Sequence, residues 1–314
     1  MKLLKRLGYT LLALFLLLNL IAAFHAWKFT HFYDDPHHIN KKPEQMSVSE
    51  KMQMILLGVR ISKSVIKQFP DTVYKEVDLT TANGIRINAW WIPVAHPVGN
   101  VILFHGYNGS KQGPLPEAAY FRSLGYNTLL VDFRAHGNSG GNTCSIGFYE
   151  KEEVKLAMDY VQRQSKQPIV LWGVSMGAAA ILNGIAHYGL RPAKIILECP
   201  YATLVDAVNS RMRAVRLPTT PLSQLLTFWG GLEQGFWGFG MQPAAYAKKV
   251  TMPTLYFWGK DDIRVMAHET RSIFNNLGTK QKQLYIVEKA GHESFCRKVP
   301  AEWKKEVRQF LQKR

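Results

Sequence analysis

Cysteine is scarce in this chain: Cys144, Cys199 and Cys296 are odd in number and far apart. Such a set supplies neither a disulfide framework nor a zinc site. The adjacent pair His37-His38 has no third ligand beside it and reads as a solvated loop, so no metal is expected. Acidic residues are also few, 23 Asp and Glu against 39 Lys and Arg, for a net charge of +16. The cations are dispersed and no basic-aromatic module accompanies them, which argues against nucleic acid as the partner. Much of the surplus reads as ordinary solvated surface, and the rest suits an anionic lipid headgroup layer. No internal repeat is present, which excludes solenoid architectures.

What is present starts with an apolar N-terminus. Lys2, Lys5 and Arg6 precede a run from Leu7 to Trp27 that carries no Lys, Arg, Asp or Glu, and Lys28 closes it. As a helix it spans about 30 Å, the thickness of a hydrocarbon core. The run reads as an uncleaved membrane anchor, residues 1–30. A cleaved signal peptide is the alternative, with Ala22-Ala23 near a cleavage site, but the apolar run is long for one and the small-residue pattern is poor. The cations before the span, against Asp34 and Asp35 after it, put the N-terminus in the cytoplasm and the remaining chain on the non-cytoplasmic side of a single-pass membrane protein.

Residues 31–70 read as a linker and an amphipathic helix. His31–Pro43 is polar and tether-like, while Met54, Leu57, Ile61, Val65 and Phe69 recur at helical spacing between Ser47 and Gln68. The alternating runs Val73–Thr80 and Ile85–Val94, joined by Ala82-Asn83-Gly84, make a hairpin. Short continuous apolar runs follow at Val101–Phe104, Thr128–Asp132, Ile169–Trp172, Ile195–Leu197, Thr254–Trp258 and Leu284–Val287, with helical stretches between most of them. That rhythm predicts an α/β fold: a mostly parallel central sheet with an antiparallel N-terminal hairpin and helices on both faces. Leu204–Lys249 breaks the rhythm and is rich in aromatics, and it reads as a small helical cap inserted in a catalytic domain of residues 71–314. The chain closes on an amphipathic helix, Ala301–Lys313.

Chemistry enters at Pro168–Ala180, where an apolar strand stops at Gly173-Val174-Ser175-Met176-Gly177 and an Ala-rich helix follows. A serine on such a turn stands proud of the sheet, beside free N–H groups at a helix N-terminus. A serine hydroxyl needs a base, and a base needs a carboxylate to fix its tautomer. Among the ten histidines, His292 is the candidate, because it follows the last strand at the end of the sheet where reactive groups gather. Asp261 and Asp262 end the preceding strand and both stand as candidates. The order Ser175, aspartate, His292 is the order this architecture uses.

From Tyr74 to the C-terminus the chain resembles the α/β-hydrolase family, in its monoacylglycerol-lipase, thioesterase and serine-peptidase-like branches. Four motifs carry the likeness: His105-Gly106-Tyr107-Asn108-Gly109, Asp132-Phe133-Arg134-Ala135-His136-Gly137-Asn138-Ser139, the Ser175 elbow and Gly291-His292. The resemblance implies an oxyanion hole from the backbone N–H groups of Tyr107 and Met176, structural roles for His105 and His136, and no cofactor. It also selects Asp262 over Asp261, from their distances to Gly259 and Val265. Ala135 stands where the family usually has glycine. The expected activity is therefore serine hydrolysis of an ester or thioester through an acyl-enzyme, on a lipid or acyl substrate. A peptidase or amidase of the same fold, and a membrane-tethered binding protein without turnover, are the alternatives.

Overall fold

The computed structural model describes residues 1–41 and 45–313. The Lys42-Pro43 end of the expected tether lies outside the described residues. The N-terminal helix α1 runs from Lys2–Thr30, longer than the apolar run at both ends. Its most apolar 18-residue stretch has a mean hydropathy of 2.2, and most of its apolar side chains are uncovered. It is long and apolar enough to cross a membrane. Its buried residues, Ala22, Ala26 and Thr30, all lie in its C-terminal third.

Strand β1 (Phe32–Tyr33) pairs in parallel with β2 (Ile61–Ser62), and helix α2 (Val48–Leu57) lies between them. The expected helix over 47–68 is thus half as long. Ser47 caps its start through a reciprocal capping box with Glu50, but Gly58 takes φ 74° and ends it. Beyond it the chain is extended and strapped to the body: Gln112 donates to Val65 O at 2.9 Å and accepts from Lys67 N at 2.8 Å. The tether is pinned too, since Phe32 is buried and its N–H donates to Asn142 O.

The central sheet uses eight strands in the order β10-β9-β8-β7-β5-β6-β4-β3. The hairpin β3 (Lys75–Thr80) and β4 (Arg86–Ile92) is antiparallel, as the Asn-Gly turn predicts. The rest are parallel: β5 (Gly99–Phe104), β6 (Tyr126–Val131), β7 (Ile169–Val174), β8 (Lys194–Glu198), β9 (Thr254–Gly259) and β10 (Lys282–Val287). Helices α3 (Leu115–Ser123), α4 (Lys151–Gln164) and α5 (Met176–Tyr188) connect the central ones. Because both faces are covered, Val101, Ile102, Leu103 and Phe104 are all fully buried, and each large apolar side chain hidden this way contributes about 1.5–3 kcal/mol.

The cap contains α6 (Leu204–Ala214), α7 (Leu222–Glu233) and a short α8 (Pro243–Tyr246). Its α7 packs along α1, with Trp229 Nε1 donating to Asn19 Oδ1 at 3.1 Å and Gly230 next to Ala26. After it come α9 (Ala267–Asn276), α10 (Phe295–Lys298) and α11 (Pro300–Gln312), the last burying Trp303, Val307 and Phe310. Strand β5 has β6 on one side and β7 on the other, so the winding reverses there. In open α/β sheets the crevice at that reversal, outside the carboxyl ends of the strands, is where ligands bind.

Candidate active site

Two loops leave the reversal point, one after β5 carrying Gly106-Tyr107 and one after β7 carrying Ser175. Ser175 sits at φ 52° and ψ −114°, a conformation that non-glycine residues adopt at a cost of about 1–3 kcal/mol. Glycine on both sides is a steric requirement. A Cβ on Gly177 would lie 2.4 Å from Phe104 O, and one on Gly173 would lie 2.7 Å from the Gly177 carbonyl carbon. The turn is tied down by Ser175 N donating to Glu198 O at 2.7 Å.

The β5 loop lies against the elbow, where a Cβ on Gly106 would come within 3.4 Å of Ser175 Cβ. Among the described residues neither Tyr107 N–H nor Met176 N–H has a hydrogen-bond partner, and Met176 opens α5. Both donors remain available for developing negative charge. Tyr107 is itself held by α1: its hydroxyl donates to Phe29 O and its ring stacks on Phe29 at 5.0 Å.

His292 and Asp262 meet, with Nδ1 to Oδ2 at 2.8 Å. The other Asp262 oxygen accepts from Arg264 N at 2.7 Å and Val265 N at 2.9 Å. Burial pushes the Asp262 carboxyl up, but His292 and these two N–H groups outweigh it and hold the pKa below the ordinary range. Asp261 is not the partner of His292; it is exposed, and only its backbone is tied in, donating to Ala290 O. Ser175 and His292 line one cavity of about 1460 Å³. Ser175 Oγ has no hydrogen-bond partner among the described residues, a looseness common before substrate binds.

His105 and His136 are structural. The His105 ring bonds Gly106 O and accepts from Phe133 N, while His136 bonds Arg134 O and accepts from Asn108 N. Burial pushes their pKa values down to about 4 and about 3, so both stay neutral at pH 7. Ala135 keeps the left-handed backbone of the glycine it replaces, at φ 61°. Cys199, Asp262 and His292 place ligand atoms within 4.8 Å of one another. They suit a metal poorly, because burial keeps the Cys199 thiol protonated and the carboxylate is already occupied.

Three features were not legible beforehand. Part of the cavity lining is α1 itself, from Leu18 to Thr30. Glu198, buried under the elbow, accepts from Trp172 Nε1 at 3.0 Å and Trp303 Nε1 at 2.7 Å, and burial raises its pKa to about 8. Arg211 of the cap lines the cavity beside Tyr107. No periodicity or motif marks a partner brought in from so far along the chain.

A family model described as serine aminopeptidase S33 matches residues 95–229, which cover the Tyr107 loop, the elbow and much of the cap. The uncharacterised protein YqkD of Bacillus subtilis is 30% identical over 237 residues, covering 74% of this chain and 77% of that protein. The chain belongs to the α/β-hydrolase family. This hydrolase is also 25% identical over 193 residues to the rat lysophosphatidylserine lipase ABHD12, but the match spans only 45% of that longer protein. Among solved structures the hydrolase superposes on the Pyrococcus furiosus esterase Pf2001 with a TM-score of 0.66 at 24% identity, covering 80% of this chain and 97% of the esterase. A bacterial membrane phospholipase A has the same fold, with a TM-score of 0.54 at 16% identity, covering 76% of this chain and 86% of the other.

Proposed function

We propose that this α/β-hydrolase is a serine esterase that cleaves a carboxylic ester or thioester of a lipid acyl substrate at a membrane. Ser175 Oγ attacks the carbonyl carbon while His292 Nε2 takes its proton. Asp262 fixes the tautomer and stabilises the imidazolium. The N–H groups of Tyr107 and Met176 hold the oxyanion. His292 returns the proton to the leaving alcohol or thiol, and water releases the acyl group by the same steps in reverse order. The lipase and phospholipase names among the similar proteins support this substrate class. The observation that carries it is one cavity lined by Ser175 and His292 together with apolar residues of α1. By the charge asymmetry around α1, its N-terminus lies in the cytoplasm and the catalytic domain on the opposite side.

The S33 family model favours a second reading, a peptidase or amidase using the same three side chains. Fluorophosphonate labelling tests the shared chemistry: the wild type and Ser139→Ala label, and Ser175→Ala does not. An unlabelled wild type refutes the enzyme reading. Turnover of monoacylglycerols, acyl thioesters and aminoacyl amides then separates the two, and a preference for the amides refutes the esterase. Protease treatment of intact cells reports the side of the membrane, and complete protection of the domain contradicts the outward placement.

A further inference from the structure

We infer that Arg211 is a recognition site for a phosphate group carried by the lipid substrate, placed beside the reacting carbonyl. This rests on the lipid-ester reading of the same cavity. Arg211 lies on α6 of the cap and lines the cavity. Its Nη1 donates to Ala207 O and Ser210 Oγ, both at 2.9 Å. Among the described residues no carboxylate oxygen lies within 4.0 Å of its guanidinium, whereas Arg134 in the same protein is paired with both Glu152 and Glu153. The guanidinium lies instead over two rings, 5.5 Å from Phe29 and 5.2 Å from Tyr107. Those rings orient it without neutralising it.

Arg211 is half-buried; a cation partly withdrawn from water without a counter-ion carries a desolvation cost, and an arriving anion offsets it. Burial and the neighbouring charge of Arg264 both press the Arg211 pKa downward, yet guanidinium remains protonated in proteins. Its planar fork matches phosphate oxygens two at a time, as an ammonium does not. Its position fits the substrate: Tyr107, which it covers, supplies an oxyanion N–H, so a group held by Arg211 belongs to the same molecule as the scissile carbonyl. The cavity wall agrees in sign. Among the described residues it includes eight Lys or Arg against four Glu; Lys41, Arg60 and Lys63 are paired with Glu50, Asp35 and Asp34, and burial drives the Glu117 and Glu198 carboxyls toward the neutral form.

The test reads binding in the full-length Ser175→Ala protein, so that it does not depend on turnover. The probes are oleoyl lysophosphatidate, monooleoylglycerol and glycerol 3-phosphate, in neutral detergent micelles. Ser175→Ala is expected to bind the lysophosphatidate about tenfold or more tighter than monooleoylglycerol, and adding Arg211→Gln to bring that ratio close to one. Arg211→Lys restores part of the ratio, because charge remains and the fork does not. A ratio unchanged by Arg211→Gln overturns the inference, as does equal affinity for the two lipids with Arg211 intact, which needs no second variant to fold. Glycerol 3-phosphate binding as tightly as the lysolipid also overturns it, since the site would then serve a free phosphate ester. A wild type that binds with this preference but hydrolyses neither lipid refutes the esterase reading and leaves the phosphate site standing.

Discussion

Replacing Asp262 by Asn tests the proposed proton path at a single atom. Oδ1 accepts two backbone N–H groups, from Arg264 and Val265, and Oδ2 faces His292 Nδ1 at 2.8 Å. An amide in this position has one orientation that satisfies its neighbours. Its oxygen must stay with the two N–H donors, so its NH₂ turns to the imidazole and donates to Nδ1. That donation forces the His292 proton onto Nε2, the atom that must accept from Ser175. The geometry is kept and the tautomer is wrong, a change that costs about 10⁴ in kcat, or roughly 5.5 kcal/mol of barrier. Initial rates on a p-nitrophenyl ester, with fluorophosphonate labelling rate as a second readout, measure it. Asp261→Asn serves as the control and should stay within about twofold, since nothing in the argument passes through that exposed side chain. If Asp262→Asn keeps more than about one tenth of wild-type kcat, the tautomer argument is refuted.

Relief of the elbow's strain gives a second outcome: Ser175→Gly should exceed Ser175→Ala in stability by about 1 kcal/mol, read from chemical denaturation, and equal stabilities would remove the strain claim. Glu198 gives a pH dependence. Its pKa rises from 4.5 to about 8 on folding, so the unfolded state ionises first and stability falls as pH climbs through that window. Glu198→Gln should flatten that fall in a Tm series between pH 5 and pH 8, and an unchanged slope would show that Glu198 is not its source. Tyr107→Phe removes the hydroxyl bonded to Phe29 O and leaves that carbonyl short of a donor, a loss of about 1–2 kcal/mol. Labelling at Ser175 should persist in that variant, because the proposed oxyanion donor is backbone. Abolished labelling would mean that the side chain does more than hold the loop.

Much of this site was readable because its pieces are local. A strand, a glycine-flanked serine and a helix sit in one short segment, and steric exclusion at Gly173 and Gly177 explains why the pattern is written there. His292 and the Asp261-Asp262 pair were found because each ends a strand, and the sheet brings the carboxyl ends of parallel strands to one edge. The choice between the two aspartates needed the family spacing; the composition of the loop alone did not decide it. The helix expected over 47–68 failed beyond Leu57 because apolar spacing cannot foresee Gln112 bonding an extended backbone from afar. Arg211, Glu198 and the contact of α1 with the cap were silent for the same reason. Each gains its meaning from a partner brought in by the fold, such as Phe29 for Arg211 or Trp303 for Glu198.

The helix that would hold the protein in a bilayer is also masonry of the chamber where Ser175 lies. A greasy molecule sliding within the leaflet could then reach the nucleophile along that shared wall without ever dissolving in water, and the rate would track its density in the membrane plane. Severing the helix near Ala22-Ala23 would do more than set the domain adrift; it would breach the chamber on its lipid side and strip a prop from the loop that bears Tyr107.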